Sequence, residues 1–244
     1  MKKLTPGMHI RIVSPSSSIE HIGGFEANLA AKERLEKLGF TVSFSEHYLE
    51  NDMLGSASIE SRVADIHAAF SDDSVDAILA TIGGFNCNEL LPYLDFELIA
   101  RNPKIFCGYS DTTALLSAIY SKTGMKTYMG PSYSSFKMDA LQDYQTESWL
   151  KAVSHTSYEL TPSEKWGDNA WYLPDAPLTF HETEWKVYHH GQAQATAIGG
   201  NLSTFSLLRG TPYAPTDENY VLFVEEAEED DYVAVSYTHL TLPT

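Results

Sequence analysis

Ser110 stands where a short apolar run, Ile105–Cys107, ends in Gly108. Tyr109, Ser110 and Asp111 follow, and then Ala114, Leu115, Ala118 and Ile119 recur at helical spacing. This pattern predicts a strand, a sharp turn and a helix, with the serine hydroxyl at the turn. Such a turn lifts a serine oxygen above the end of a sheet and aims helix-start N–H groups at whatever reacts there. A nucleophilic serine needs that geometry, because the oxyanion formed on attack must meet donors already in place. Thr112 stands where a Gly-x-Ser-x-Gly elbow has its second glycine. The plainer alternative is that Ser110 and Asp111 cap the helix, a place both residue types favour.

Two further positions could serve the same chemistry. Gly83-Gly84 closes another apolar run and would let backbone approach a substrate and offer N–H donors; a turn needing positive φ is the alternative. Glu225 directly ends the apolar run Tyr220–Val224. A carboxylate held at a strand end can orient an imidazole, as a serine's general base requires. Glu226 through Asp231 read as a solvated acidic loop. Trp166 and Trp171 suit stacking on a flat or apolar ligand group, or packing of a loop against a domain. His181, Glu182, Glu184, His189 and His190 show no recognised metal-ligand spacing and read as surface residues. Neither a dinucleotide fingerprint nor a Gly-Lys-Ser/Thr phosphate loop occurs.

The elements that must position these groups alternate. Strand-like runs lie at His9–Val13, Val42–Phe44, Ala77–Ile82, Ile105–Cys107 and Thr127–Met129. Helical patterns cover Phe25–Leu38 and Ile59–Phe70. Strands alternating with helices imply a parallel sheet, with ligands beyond the carboxyl ends of its strands. From about Lys151 to Trp185 prolines, glycine and three of the four tryptophans break the pattern. Beyond it, Gln194–Ile198 and Tyr220–Val224 read as strands, with a short helix at Leu202–Leu208. The expectation is an α/β protein. Residues 1–150 form a parallel-sheet N-terminal domain with helices on both faces, 151–186 a linker and aromatic loop, and 187–235 the start of a β-containing C-terminal domain that is incomplete.

The 244 residues, 43% of them hydrophobic, can bury a sizeable core. No run of 18 apolar residues indicates a membrane span, and no apolar stretch follows the N-terminal lysines as a signal peptide would need. Cys87 and Cys107 do not suggest a disulfide framework or a metal cage and read as buried thiols. The formal charge of −17 would repel a phosphate backbone. The expectation is a cytoplasmic protein that binds neither nucleic acid nor membrane.

Several motifs in order carry a resemblance. They are Thr81-Ile82-Gly83-Gly84-Phe85-Asn86, Glu89–Asp95, Asn102-Pro103-Lys104, Gly108–Leu116 and Gly130-Pro131, then Gly199-Gly200-Asn201-Leu202, Gly210–Tyr213 and Leu222–Glu226. From about Thr5 to Tyr232 the chain resembles the LD-carboxypeptidase family of serine peptidases, most of all the branch that includes the microcin C immunity peptidases. The resemblance implies cleavage of an amide bond near a free carboxyl end, in a murein peptide (an L,D bond) or a peptidyl-nucleotide. It implies Ser110 as nucleophile, a histidine base oriented by Glu225, and an oxyanion hole from the N–H groups of Gly84 and Asp111. Gly83, Phe85, Asn86, Trp166 and Trp171 would line the substrate. No metal or organic cofactor is implied, and a homodimer is left open.

The resemblance places the base well downstream of the glutamate. Within the 19 residues after Glu225 the one histidine is His239, in a stretch unlike the family. Residues 236–244 are therefore expected to be a foreign tail, leaving the base unassigned and this chain nearly inactive. The rival expectation is a non-catalytic ligand-binding protein of the same fold.

Overall fold

A computed structural model describes residues 2–167, 169 and 177–226. The first part runs β1 (His9–Val13), α1 (Gly24–Ala27), α2 (Leu29–Lys37), β2 (Thr41–Phe44), α3 (Ile59–Ser71), β3 (Ala77–Ala80), α4 (Phe96–Arg101), β4 (Ile105–Gly108), α5 (Thr113–Thr123), β5 (Tyr128–Met129) and α6 (Gln142–Ser154). The five strands form one sheet in the order β2-β1-β3-β4-β5, and every pairing is parallel.

Side chains alternate across a strand, so a sheet covered on both faces must be apolar on both. Here Ile78 and Phe106 point to one face and pack with Ile66 and Phe70 of α3 and Leu115 and Ile119 of α5. Their neighbours Ala77, Leu79, Ile105 and Cys107 point to the other and pack with Leu35 of α2 and Trp149 and Val153 of α6. Two buried cores result, one on each side of a sheet whose central strands are buried throughout. Both thiols are free and buried, and burial pushes the Cys107 thiol up to about 12.

The single helix expected over Phe25–Leu38 is two. Asn28 separates α1 from α2 with φ −114° and ψ 9°. It is buried, and its amide donates to the carbonyls of Ile22 at 3.2 Å and Gly24 at 2.7 Å. Its own carbonyl receives the Tyr133 hydroxyl at 2.8 Å. An asparagine that offers backbone groups a competing partner interrupts a helix that apolar spacing alone would continue. At the other end, α6 carries past residue 150 to Ser154, whose hydroxyl donates to the Leu4 carbonyl at 2.6 Å.

A small antiparallel ribbon, β6 (Lys165–Trp166) with β7 (His181–Glu182), follows. Then β8 (Thr196–Asn201), α7 (Leu202–Leu207) and β9 (Tyr220–Glu225) follow, and β8 and β9 pair in parallel as a second sheet, with Asn201 opposite Glu225. The expected strand ending at Ile198 continues through Gly199 and Gly200. A Cβ at Gly199 would lie 1.8 Å from the Phe223 carbonyl oxygen, so the glycines permit the pairing rather than end it. Among the described residues, no helix is long and apolar enough to cross a membrane.

Candidate active site

Ser110 opens a 3-10 turn, Ser110–Thr112, that joins β4 to α5. Its φ is +56°, a left-handed conformation that only Leu141 shares among the described non-glycine residues. Such a conformation costs on the order of 1–3 kcal/mol and persists where the surroundings enforce it. The enforcement is visible. The Thr112 N–H bonds the Tyr109 carbonyl at 3.2 Å, and α5 starts immediately. Gly108 cannot carry a side chain, since a Cβ there would lie 2.7 Å from the Thr112 methyl. No side chain caps α5, so the capping alternative for Ser110 and Asp111 is not what these groups do.

Gly83 and Gly84 reach the same edge from β3. A Cβ on Gly83 would lie 2.8 Å from both Cβ and Oγ of Ser110, so any side chain there would fill the space of the hydroxyl. Gly84 has φ +153°, and a Cβ on it would lie 2.2 Å from Ser16 Oγ and 2.8 Å from Ser17 N. The loop after β1 closes the third side. Ser17 N–H donates to the Gly83 carbonyl at 3.1 Å, and Ser16 Oγ donates to Asp111 Oδ2 at 2.6 Å. The same carboxylate oxygen accepts the Cys87 N–H at 2.8 Å. Asp111 is buried, so one carboxylate ties together the ends of β1, β3 and β4.

Glu225 is the last residue of β9 in the second sheet and is exposed. Asn201, its partner across the strands, donates its N–H to Thr113 Oγ1 at 3.0 Å, at the start of α5. Gly200 makes this contact possible, since a Cβ there would lie 2.5 Å from the Thr113 methyl. Desolvation raises the Glu225 carboxyl above its ordinary value; a hydrogen bond from Asn201 opposes the rise and the Glu226 charge adds to it.

Glu226 is exposed, as a solvated loop residue would be, yet its carboxylate accepts from Asn201 Nδ2 at 3.2 Å, Ser203 N at 3.0 Å and the Ser203 hydroxyl, closing the start of α7. Phe85 is 80% exposed beside Gly84. The Asn86 side-chain oxygen is engaged by Arg62 Nη1 at 3.0 Å and Ser56 Oγ at 3.2 Å. Trp166 lies on the ribbon, half exposed, with its ring 4.9 Å from that of His181. Trp171, His239 and the stretch 236–244 lie outside the described residues.

Sequence reasoning missed Ser16, Arg62 and Thr113. The run Ser14-Pro15-Ser16-Ser17-Ser18 directly after a strand was the available signal, because parallel strands bring all such loops to one edge. A groove of about 530 Å³ along α3, lined by Ile59, Val63, His67 and Tyr93 among others, shares no residue with this edge.

Fold and site together define an α/β protein built around a serine elbow at the carboxyl edge of a parallel sheet. Family models agree with that class: the LD-carboxypeptidase N-terminal domain matches residues 10–130 and the LD-carboxypeptidase C-terminal domain residues 194–242. The putative carboxypeptidase YocD of Bacillus subtilis (strain 168) is 48% identical over 234 residues, 95% of this chain and 70% of that protein. A solved MccF-like protein from Bacillus anthracis str. Ames superposes with a TM-score of 0.89 at 48% identity, covering 92% of this chain and 69% of the other. MccF in complex with glutamyl sulfamoyl guanosine superposes with a TM-score of 0.86 at 31% identity, covering 92% and 70%. The chain belongs to the LD-carboxypeptidase family of peptidases.

Proposed function

We propose that the protein is a serine carboxypeptidase in which Ser110 attacks an amide carbonyl near a free carboxyl end. The observation that carries this reading is the left-handed Ser110 at the start of α5 with Gly83 against its hydroxyl. The N–H groups of Gly84 and Asp111 receive the oxyanion as the carbonyl carbon becomes tetrahedral. A histidine oriented by the Glu225 carboxylate takes the serine proton and returns it to the leaving amine, leaving an acyl-enzyme that water resolves.

The substrate class we propose is a nucleotide carrying an aminoacyl or peptidyl group on nitrogen, so that the scissile bond is an amide and the proton goes to the leaving nitrogen, supported by the structural likeness to MccF bound to glutamyl sulfamoyl guanosine. Exposed Phe85 and Trp166 offer aromatic surface for a base, with Gly83, Asn86 and Trp171 the remaining substrate contacts. An L,D-linked murein tetrapeptide is the competing substrate. The test incubates the full-length protein with each compound and follows the released carboxyl-terminal product by mass spectrometry. Cleavage of the aminoacyl-nucleotide that is lost in Ser110→Ala supports the reading. Cleavage of the murein peptide alone reassigns the substrate. Tight binding without turnover makes the protein a ligand binder.

A further inference from the structure

Arg62 is a buried cation that the proposed chemistry does not use. It sits on α3, its side chain 2% exposed. Its Nη1 lies 3.2 Å from the Pro15 carbonyl, 3.1 Å from the Asn86 carbonyl and 3.0 Å from the Asn86 side-chain oxygen. Its Nη2 pairs with Glu89 at 3.0 Å. A guanidinium taken out of water is costly unless such partners surround it.

The partners of Arg62 are next to those of Asp111. Asn86 O and Cys87 N belong to one peptide group: the oxygen faces Arg62 and the N–H donates to the Asp111 carboxylate at 2.8 Å. Likewise Pro15 O faces Arg62 while the next residue, Ser16, donates its hydroxyl to Asp111 at 2.6 Å. Cys87 Sγ closes the remaining side on Pro15 O at 3.5 Å. The 86–87 peptide dipole therefore lies between a buried cation and a buried anion, oriented favourably to both.

We propose that Arg62 and the Asp111 carboxylate are positioning residues that clamp the loops after β1 and β3 from opposite sides and so fix Gly83-Gly84 against Ser110. Neither side chain touches the reacting atoms. They act through the strand-end loops, and a shift of about 1 Å in such a support costs on the order of 10²-fold in rate. This inference rests on the serine peptidase reading.

The test measures kcat and KM for Arg62→Lys, Asp111→Asn and the double variant, with Ser110→Ala alongside. Arg62→Lys keeps the charge but loses the planar fork that serves two loops at once. Asp111→Asn keeps the shape and removes the anion. Each single variant is expected to lower kcat about 10–100-fold with KM within about threefold. The double variant is expected to lose little more than the worse single one, because both act on one peptide. Amide exchange at the Cys87 N–H, read by NMR, is expected to quicken in both. Tyr133→Phe, which removes a hydrogen bond to Asn28 in the other core, controls for general loss of stability and should leave kcat unchanged. Near-normal kcat in Arg62→Lys and Asp111→Asn while Ser110→Ala is inactive overturns the clamp and leaves the peptidase reading standing. Fully additive losses, or an equal loss in Tyr133→Phe, also overturn it. Activity retained in Ser110→Ala overturns the peptidase reading and the clamp with it.

Discussion

Ser110 is held by backbone, not by a hydrogen bond of its own hydroxyl, and this separates its chemistry from its contribution to stability. Its turn is fixed by Gly108, by Thr112 and by the start of α5. Ser110→Ala is therefore expected to remove the covalent route, lowering turnover on the order of 10³-fold or more, while shifting the unfolding midpoint little. Steady-state assay and thermal melts on the same preparations check both halves. Glu225 offers a second residue-level expectation. Its carboxyl is raised by desolvation and by the neighbouring Glu226 charge, so it takes up its proton at a higher pH than an ordinary glutamate. A carboxyl-selective NMR titration should place its midpoint above the usual 4.5 and should move it down in Glu226→Gln. A midpoint unchanged by that substitution would remove Glu226 as a cause.

At the scale of elements, the loop between β2 and α3 is held by a histidine–carboxylate contact that becomes an ion pair when the ring is protonated. His47 donates its backbone N–H to Asp65 Oδ2 at 3.1 Å and brings its ring Nδ1 to 2.8 Å from Oδ1. Asp65 is buried on α3. The hydrogen bond to Asp65 raises the histidine above 6.5. A group whose folded pKa is raised stabilises fully below its unfolded value, and the contribution disappears as pH rises through the folded value. Urea unfolding of the protein and of His47→Phe should differ more at pH 5.5 than at pH 8.5. The pH-dependent part should be on the order of 1 kcal/mol or less, because the ring keeps partial solvent access. An equal difference at both pH values would mean that the ring's charge contributes nothing.

At the scale of the molecule, the segment carrying the second sheet packs onto the first part of the chain, with Leu208 buried in the core of α3 and α5 and Tyr213 and Ala214 against it. Gly200 and Asn201 sit on Thr113, the Tyr120 hydroxyl donates to Asp217 at 2.7 Å, and Ser121 Oγ donates to the Ala214 carbonyl at 2.9 Å. Gly200→Ala would place a Cβ 2.5 Å from the Thr113 methyl at a backbone φ of +135°. We expect a loss of about 1–3 kcal/mol, as overpacked contacts typically show, and reduced turnover, because β8 carries the partner of Glu225. Denaturant titration with parallel activity measurement checks this. Unchanged stability and turnover would mean that the two sheets adjust independently.

The sequence by itself determined the alternating strands and helices, the parallel sheet, the serine at a strand-to-helix turn and the two glycines at a neighbouring strand end. Each of these is a local pattern: apolar period, glycine at a strand end, and a polar residue opening a helix. The family followed from such motifs kept in order. Only the tertiary structure decided which strand ends meet. The break at Asn28 is joined by the Tyr133 hydroxyl, more than a hundred residues away. The carboxylate of Asp111 gathers Ser16 and Cys87 from two other loops, and the Glu226 carboxylate holds Ser203. These contacts join residues far apart in the chain. Their partners are set by strand order and by the packing of both sheet faces, which no local spacing encodes.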